Sequence, residues 1–237
     1  MKKSFLTASA LIICLCNQAI GQGLCMKNIS DFSFLNGGLN PRAVASADFN
    51  NDGKQDIVTA NYSSSNISVL LGNGTAGFGA ATNITTIAGN NPIWVTTADF
   101  NNDTKPDIAV SHFSGGYISI LLGNGNGTFG APINFSIAGT LSKIVAADFN
   151  ADGKTDLVVA DYYSGAWITF GNGNGTFTGQ TQLSPGNGAI SVEIGDINND
   201  FNTDIVTISS NSSNNVAILT GVGNGTFNAA TNLTIGG

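Results

Sequence analysis

The sequence predicts an all-β protein, a β-propeller-like array of four repeats of about 50 residues with four strands each. Three observations carry that prediction. A nine-residue acidic loop occurs four times, with its first Asp at Asp48, Asp99, Asp148 and Asp196, spaced 51, 49 and 48 residues apart. A Gly-rich turn closed by Phe recurs in step, at 72–78, 123–129, 171–177 and 221–227. Charged residues make up only 10% of the 237, beside 31 Gly. That balance lacks the long charged side chains helices favour and is rich in turn formers.

The N-terminus reads as an export address. Lys2-Lys3 precede an apolar run from Phe5 to Cys16, and Ala19-Ile20-Gly21 offers small residues for cleavage before Gln22. Residues 1–21 are therefore expected to be a signal peptide and 22–30 a linker, leaving 31–237 as the repeat domain. No later run approaches the ~20 apolar residues of a membrane span. The expected location is secreted, extracellular or at the cell surface. Ile13-Cys14, Leu15-Cys16 and Leu24-Cys25 lack the small residue that a lipoprotein signal needs before its Cys. Cleavage strands Cys25 alone, so no internal disulfide framework is available.

Within the second period the strands read as Ala81 to Ile87, Ile93 to Ala98, Asp107 to Ser111 and Tyr117 to Leu122, with turns at Gly89–Pro92 and Ser114–Gly116. Val69-Leu70-Leu71 and Ile120-Leu121-Leu122 have the continuous apolar character of strands covered on both faces. The Gly-Asn-Gly runs join strand to strand with no helix N-terminus, so they read as tight turns needing positive φ rather than phosphate cradles. The closing Phe is expected to plug the neighbouring unit.

The acidic loops carry the chemistry. Each places oxygen-bearing side chains at positions 1, 3, 5 and 9: Asp48, Asn50, Asp52, Asp56; Asp99, Asn101, Asp103, Asp107; Asp148, Asn150, Asp152, Asp156; Asp196, Asn198, Asp200, Asp204. Hard oxygen donors in a tight loop suit Ca²⁺, while Mg²⁺ prefers octahedral sites with retained waters. The carbonyl of position 7 (Lys54, Lys105, Lys154 or Asn202) completes the expected set, with the Lys side chains pointing to solvent. Only Asp31, Asp161 and Glu193 lie outside the loops. The acidity is thus clustered where a cation would neutralise it, and gives no field for nucleic acid. An EF-hand is excluded, since position 12 is Thr59, Val110, Val159 or Thr207 instead of Glu. Asx-turns without metal explain one or two Asp or Asn residues, not the same set four times. The expected cofactor is Ca²⁺, up to four ions, one per repeat. Thr104 and Phe201 stand where Gly would relieve a left-handed turn, which predicts weaker second and fourth sites.

This pattern resembles the FG-GAP/VCBS repeat family, which includes the β-propeller of integrin α subunits. The resemblance runs from about Asn40 to Phe227 and rests on the Asp loops, the segments Pro41 to Asp48 and Pro92 to Asp99, and the Gly-x-Gly-x-Phe turns. Phe129-Gly130-Ala131-Pro132 is close to the family's text, and Phe78-Gly79-Ala80-Ala81 drifts from it. The resemblance implies a calcium-stabilised propeller with the loops at its lower rim, and members that are surface adhesins or modules of extracellular enzymes. Four units are fewer than the usual ring. The chain is expected to be a fragment, an open arc, or a protomer that self-associates with another copy to complete a ring, with fragment or arc favoured over a four-bladed closed ring.

The expected function is non-enzymatic: an extracellular module binding a protein or glycan. The hairpin tips vary between repeats (Asn61-Tyr62, His112-Phe113, Asp161-Tyr162-Tyr163, Ser210-Asn211), and Tyr117 and Trp167 read as matching positions opening the next strand. Tyr62, His112, Tyr117, Tyr162 and Trp167 are the candidate ligand-binding residues, with His112 expected exposed at a tip. Packing between units is the competing reading of these rings. The alternative function is a calcium-dependent polysaccharide lyase, or the propeller module of one, for which Asp161 is a free acid and Lys143 and Arg42 are the only spare cations.

Overall fold

The structure, a computed structural model, describes residues 38–184, 188–209 and 215–234. The signal-peptide and linker expectations, Cys25, and the tip at Ser210-Asn211 lie outside the described residues. Among the described residues there is no helix, and none long and apolar enough to cross a membrane.

Among the described residues sixteen strands form four antiparallel sheets, each in sequence order. Sheet 1 holds β1 (Pro41–Ala47), β2 (Asp56–Asn61), β3 (Asn66–Leu70) and β4 (Thr82–Thr85). Sheet 2 holds β5 (Pro92–Ala98), β6 (Asp107–His112), β7 (Tyr117–Leu121) and β8 (Ile133–Ser136). Sheet 3 holds β9 (Leu141–Ala147), β10 (Asp156–Asp161), β11 (Gly165–Gly171) and β12 (Phe177–Leu183). Sheet 4 holds β13 (Ser191–Gly195), β14 (Asp204–Ile208), β15 (Asn215–Leu219) and β16 (Thr231–Thr234). This is the β-propeller-like array of four-stranded units that the period predicts.

The grouping of strands differs from the sequence reading in one respect. The strand after each Gly-rich turn pairs back onto the strand before it, as Asn66↔Thr85 to Val69↔Thr82 show. It closes its own sheet and does not open the next. The cause is local: Gly72 and Phe78 bridge across the turn, so the chain reverses within seven residues and its nearest open edge is β3.

The first strands of neighbouring sheets lie side by side, β1 on β5, β5 on β9 and β9 on β13, and among the described residues no comparable contact returns β13 to β1. Three cores follow, one per junction. Val58, Ala60, Ile67 and Val69 of sheet 1 meet Val95, Ile108, Val110 and Leu121 of sheet 2. Ala109, Ile118 and Ile120 meet Ile144, Leu157 and Val159. Val158, Ala160, Ala166 and Ile168 meet Val192, Ile205 and Leu219. Each middle sheet is apolar on both faces because it has a neighbour on each, which is why Ile120-Leu121 reads as a continuous apolar run.

Candidate functional site

The acidic loops join the first and second strands of each sheet and share one hydrogen-bond plan. In the first loop Asp48 Oδ1 accepts the amide of Asp52 at 3.1 Å and Oδ2 that of Gly53 at 2.7 Å. Asn50 Oδ1 accepts the same Asp52 amide at 3.1 Å, and Asp52 Oδ1 accepts that of Lys54 at 2.9 Å. The second, third and fourth loops repeat these bonds through Asp99, Asp148 and Asp196. The side chains of positions 1 and 3 are therefore gathered over one backbone amide. The turn is left-handed at positions 4 and 6, with φ of 56° at Asn51 and 80° at Gly53. Thr104 and Phe201 hold φ of 68° at position 6 despite their side chains, a conformation that costs a non-glycine residue energy.

Position 9 has a role that the sequence reading missed. Asp56 is fully buried, accepting the Phe49 amide on Oδ2 at 2.8 Å and the Gly72 amide on Oδ1 at 2.7 Å. Asp107, Asp156 and Asp204 do the same for Phe100 and Gly123, Phe149 and Gly171, and Ile197 and Gly221. Each is a strut tying the acidic loop to the Gly-rich turn of its own sheet. A ligating Asp and a bracing Asp look alike in sequence; the signal was the Gly recurring 15 to 17 residues later.

Burial pushes the Asp107 carboxyl up to about 6, and the charges of Asp103 and Asp99 add to the rise. Burial raises Asp156 too, with Asp152 and Asp148 adding. Three carboxylates thus feel one another in these loops. The Lys side chains fold back where they were expected to extend: Lys54, Lys105 and Lys154 each place Nζ 3.1 Å from the position 5 carboxylate. The Lys54 hydrogen bond holds Asp52 below the usual carboxylate range. Among the described residues no three Asp, Glu, His or Cys side chains close on a metal-sized point. The Asn of position 3 and the carbonyl of position 7 have to complete a cage. The donor chemistry fits Ca²⁺, with all three Asp of each set also accepting backbone amides and the buried one bracing the Gly-rich turn.

The Gly-rich turn couples sheets. Gly127 donates its amide to Phe49 O at 2.8 Å, Gly175 to Phe100 O and Gly225 to Phe149 O, each at 2.9 Å. Phe129 meets the edge of Phe49 with ring centres 5.3 Å apart; Phe177 meets Phe100, and Phe227 meets Phe149, in the same way. The expected Phe plug is present, and it seals the acidic loop of the preceding sheet.

The candidate ligand-binding residues are only partly brought together. Tyr62 and Phe113 are 6.0 Å apart, Phe113 and Tyr162 6.4 Å, and Tyr162 and Tyr163 5.1 Å, forming a line of tilted rings across the hairpin tips of three sheets. Arg42 lies 5.0 Å from the Tyr62 ring centre. Tyr62 and Tyr162 are half-buried by this packing.

His112 is not at an exposed tip. It is the last residue of β6 and fully buried. Nδ1 donates to Asn90 O at 2.5 Å and Nε2 accepts from Ser119 Oγ at 2.8 Å, the neutral tautomer. Burial lowers its pKa to about 4. Asn61 and Asp161 end β2 and β10 at the same register and bond the same cross-strand position, Asn61 as donor through Nδ2 to Ser68 Oγ at 2.7 Å and Asp161 as acceptor on Oδ2 from Trp167 Nε1 at 3.2 Å. The strand runs one residue further than the tip reading assumed, and one residue in a strand reverses the side chain's direction.

Tyr117 and Trp167 are also not at matching positions. Pairing places Ile118 opposite Ser111 and Ala166 opposite Ala160, so Trp167 corresponds to Ser119 and Tyr117 to Gly165. Of the remaining charges, Lys143 is ion-paired to Glu193 and sits 5.3 Å from the Trp94 ring centre.

A model of the FG-GAP-like repeat matches residues 48–110, 105–159 and 148–207. No curated protein is similar enough in sequence to match. Among solved structures, BBS1N in complex with ARL6DN superposes with a TM-score of 0.57 at 14% identity, over 84% of this chain and 58% of that one. A candidate 6-phosphogluconolactonase from Bacteroides fragilis gives 0.60 at 17% identity, over 84% and 58%. A protein from Lactobacillus plantarum gives 0.54 at 11%, over 79% and 54%. These likenesses concern the fold, and this chain spans little more than half the length of those structures. The family windows run without a gap from the first acidic loop to the strand after the fourth, and the chain belongs to the FG-GAP-like repeat family.

Proposed function

We propose that this chain is an exported, calcium-stabilised ligand-binding module without enzymatic activity, its ligand an extracellular protein or glycan. The observation that carries the calcium reading is the shared build of the four loops, in which side chains 1 and 3 meet over one amide, and in the second and third of which the charges at positions 1 and 5 add to the rise at the buried Asp of position 9. Bound Ca²⁺ would be held by Asp48, Asn50, Asp52, the Lys54 carbonyl and the spare lone pairs of Asp56, and by their counterparts. It would relieve the repulsion and fix the loop on which the next sheet's turn rests.

The line of rings from Tyr62 to Tyr163 supports a binding face at the hairpin tips, since flat amphipathic rings beside hydroxyl-rich turns suit sugars and protein surfaces alike. Three candidate bases are already committed, which supports the non-enzymatic reading. His112 is buried with both ring nitrogens bonded. Asp161 is buried and accepts from Trp167, Ser164, Thr140 and Tyr163. Lys143 is held by Glu193. BBS1N, which shares the fold, was crystallised with a protein partner, which favours protein over glycan as the ligand.

The test uses the calcium-loaded chain on a glycan array and on immobilised extracellular matrix proteins, beside Tyr62→Ala and Tyr163→Ala. Binding that both substitutions weaken supports the proposal. Silence on every surface, or release of unsaturated uronate from acidic polysaccharide, overturns it.

A further inference from the structure

Asn-Gly steps carry a chemistry of their own. The backbone nitrogen of the Gly, once it has lost its proton, attacks Cγ of the Asn side chain. Ammonia leaves, a succinimide ring forms, and water opens it to Asp or to the isomer whose backbone runs through the side chain. Gly permits the attack because no Cβ crowds the approach. The Gly-rich turns of sheets 2 and 3 each hold two such steps side by side: Asn124-Gly125 and Asn126-Gly127, then Asn172-Gly173 and Asn174-Gly175.

The fold treats the two steps of a turn differently. Gly127 and Gly175 donate their amides to the carbonyls of Phe49 and Phe100 in the preceding sheet, at 2.8 and 2.9 Å. The Asn side chains before them are held as well. Asn126 Oδ1 accepts the amide and hydroxyl of Thr128, and Asn174 Oδ1 those of Thr176. Among the described residues no acceptor meets the amide of Gly125 or of Gly173. Asn124 and Asn172 are exposed, each resting Nδ2 on a Thr hydroxyl at 2.9 Å, and Asn172 Oδ1 accepts Thr178 Oγ1 at 3.3 Å. In the turn of sheet 4 the open step is gone. Val222-Gly223 stands in its place, and Asn224-Gly225 is locked to Phe149 O at 2.9 Å.

We infer that Asn124 and Asn172 are sites of spontaneous deamidation in the folded chain, and that Asn126 and Asn174 are shielded while their sheets stay joined. Attack by Gly127 or Gly175 first has to break the bond to the sheet before, so it waits on local opening of that joint. Each event turns a neutral amide into a carboxylate. The new charge lands on a turn along which a Lys stem lies: Lys105 Cδ and Lys154 Cδ are 3.0 and 3.1 Å from where a Cβ on Gly125 or Gly173 would stand. Those Lys side chains already pair with Asp103 and Asp152. Negative charge is thereby added beside an acidic loop at a rate that rises with pH, because the attacking nitrogen has to be deprotonated.

To test this, the full folded chain and the same chain unfolded in guanidinium chloride are held in mildly alkaline buffer. Digestion and mass-spectrometric fragmentation then locate each conversion of Asn to Asp or its isomer. In the folded chain Asn124 and Asn172 are expected to convert about tenfold or more faster than Asn126 and Asn174, the rate equivalent of one hydrogen bond. In guanidinium the four are expected to react alike. Asn124→Gln removes the first conversion and leaves Asn126 as slow as before. Equal rates in the folded chain overturn the inference, as does faster conversion of Asn126. The same preference persisting in guanidinium also overturns it, as does a folded chain that stays unmodified while the unfolded one reacts.

Discussion

The amide of Gly127 points at the carbonyl of Phe49, 2.8 Å away, from the turn of one sheet to the acidic loop of the sheet before it. Gly127 holds φ of 80°, and a Cβ there would sit 3.0 Å from the Leu71 side chain. The bond therefore needs a left-handed backbone, and a side chain at Gly127 would press on Leu71. Because Phe49 starts its loop under the strut of Asp56, one carboxylate, one loop and one turn from the next sheet form a single joint. Three copies hold the array together, and the predictions below take the joint apart.

Phe49→Ala removes a fully buried ring at the centre of a joint. Large-to-small changes of this kind cost about 3–5 kcal/mol. Phe129, which covers it and is itself half-exposed, is expected to cost about 1–2 kcal/mol when changed to Ala. Chemical denaturation of both variants measures the order, and equal losses would contradict the joint as described.

Asp52→Ala and Asp56→Ala separate ligand from strut. Without calcium, Asp52→Ala leaves stability almost unchanged, since its carboxylate faces solvent and a Lys. Asp56→Ala strands two buried amides and lowers stability by about 2–4 kcal/mol even in chelator. With calcium, both lose the first site. A metal-free Asp56→Ala chain as stable as the parent would remove the strut.

Thr104→Gly relieves a β-branched residue at φ of 68°. The expected gain is about 1 kcal/mol, with tighter calcium binding at the second loop. Gly153→Thr, with open space around the new Cβ, should lose a similar amount in the third loop. Melting curves and calcium titrations of the pair check both signs.

His112 makes stability depend on pH. Burial lowers its pKa to about 4 from an ordinary value of 6.5. The folded state therefore disfavours the charged form. The stability is fully present above about 6.5 and is lost as pH falls towards 4, by up to about 3 kcal/mol. His112→Asn, which copies Asn61 at the same register, should remove that slope. Urea midpoints of parent and variant between pH 7 and 4 measure the difference, and parallel curves would count against it.

What could be read in the sequence was whatever the backbone demands of residue type. Left-handed φ at Gly53 and Gly153, oxygen side chains at alternate loop positions, and the Gly-x-Gly turns each leave a mark that recurs, so the four units, their strands and their plugging Phe were legible. What depends on a one-residue boundary was not. His112 and Tyr62 are neighbours of a strand end in either reading, yet one is buried and the other half-exposed, because a strand alternates its faces. The bracing role of Asp56 was hidden for a different reason: its partners are backbone amides, and any residue supplies those. The exposure of Ile208 was hidden because it occupies the same place in its strand as the buried Ala160.

The most direct measurement is the melting temperature of the folded chain in millimolar calcium and in excess chelator, with bound ions counted by mass spectrometry under native conditions. A ligand that binds only the folded state stabilises it by about 2.7 kcal/mol per site at a hundredfold excess over its Kd. The account predicts two to four ions per chain and a melting temperature lower in chelator by on the order of 10 °C. No bound ion, together with identical melting in calcium and chelator, would contradict it.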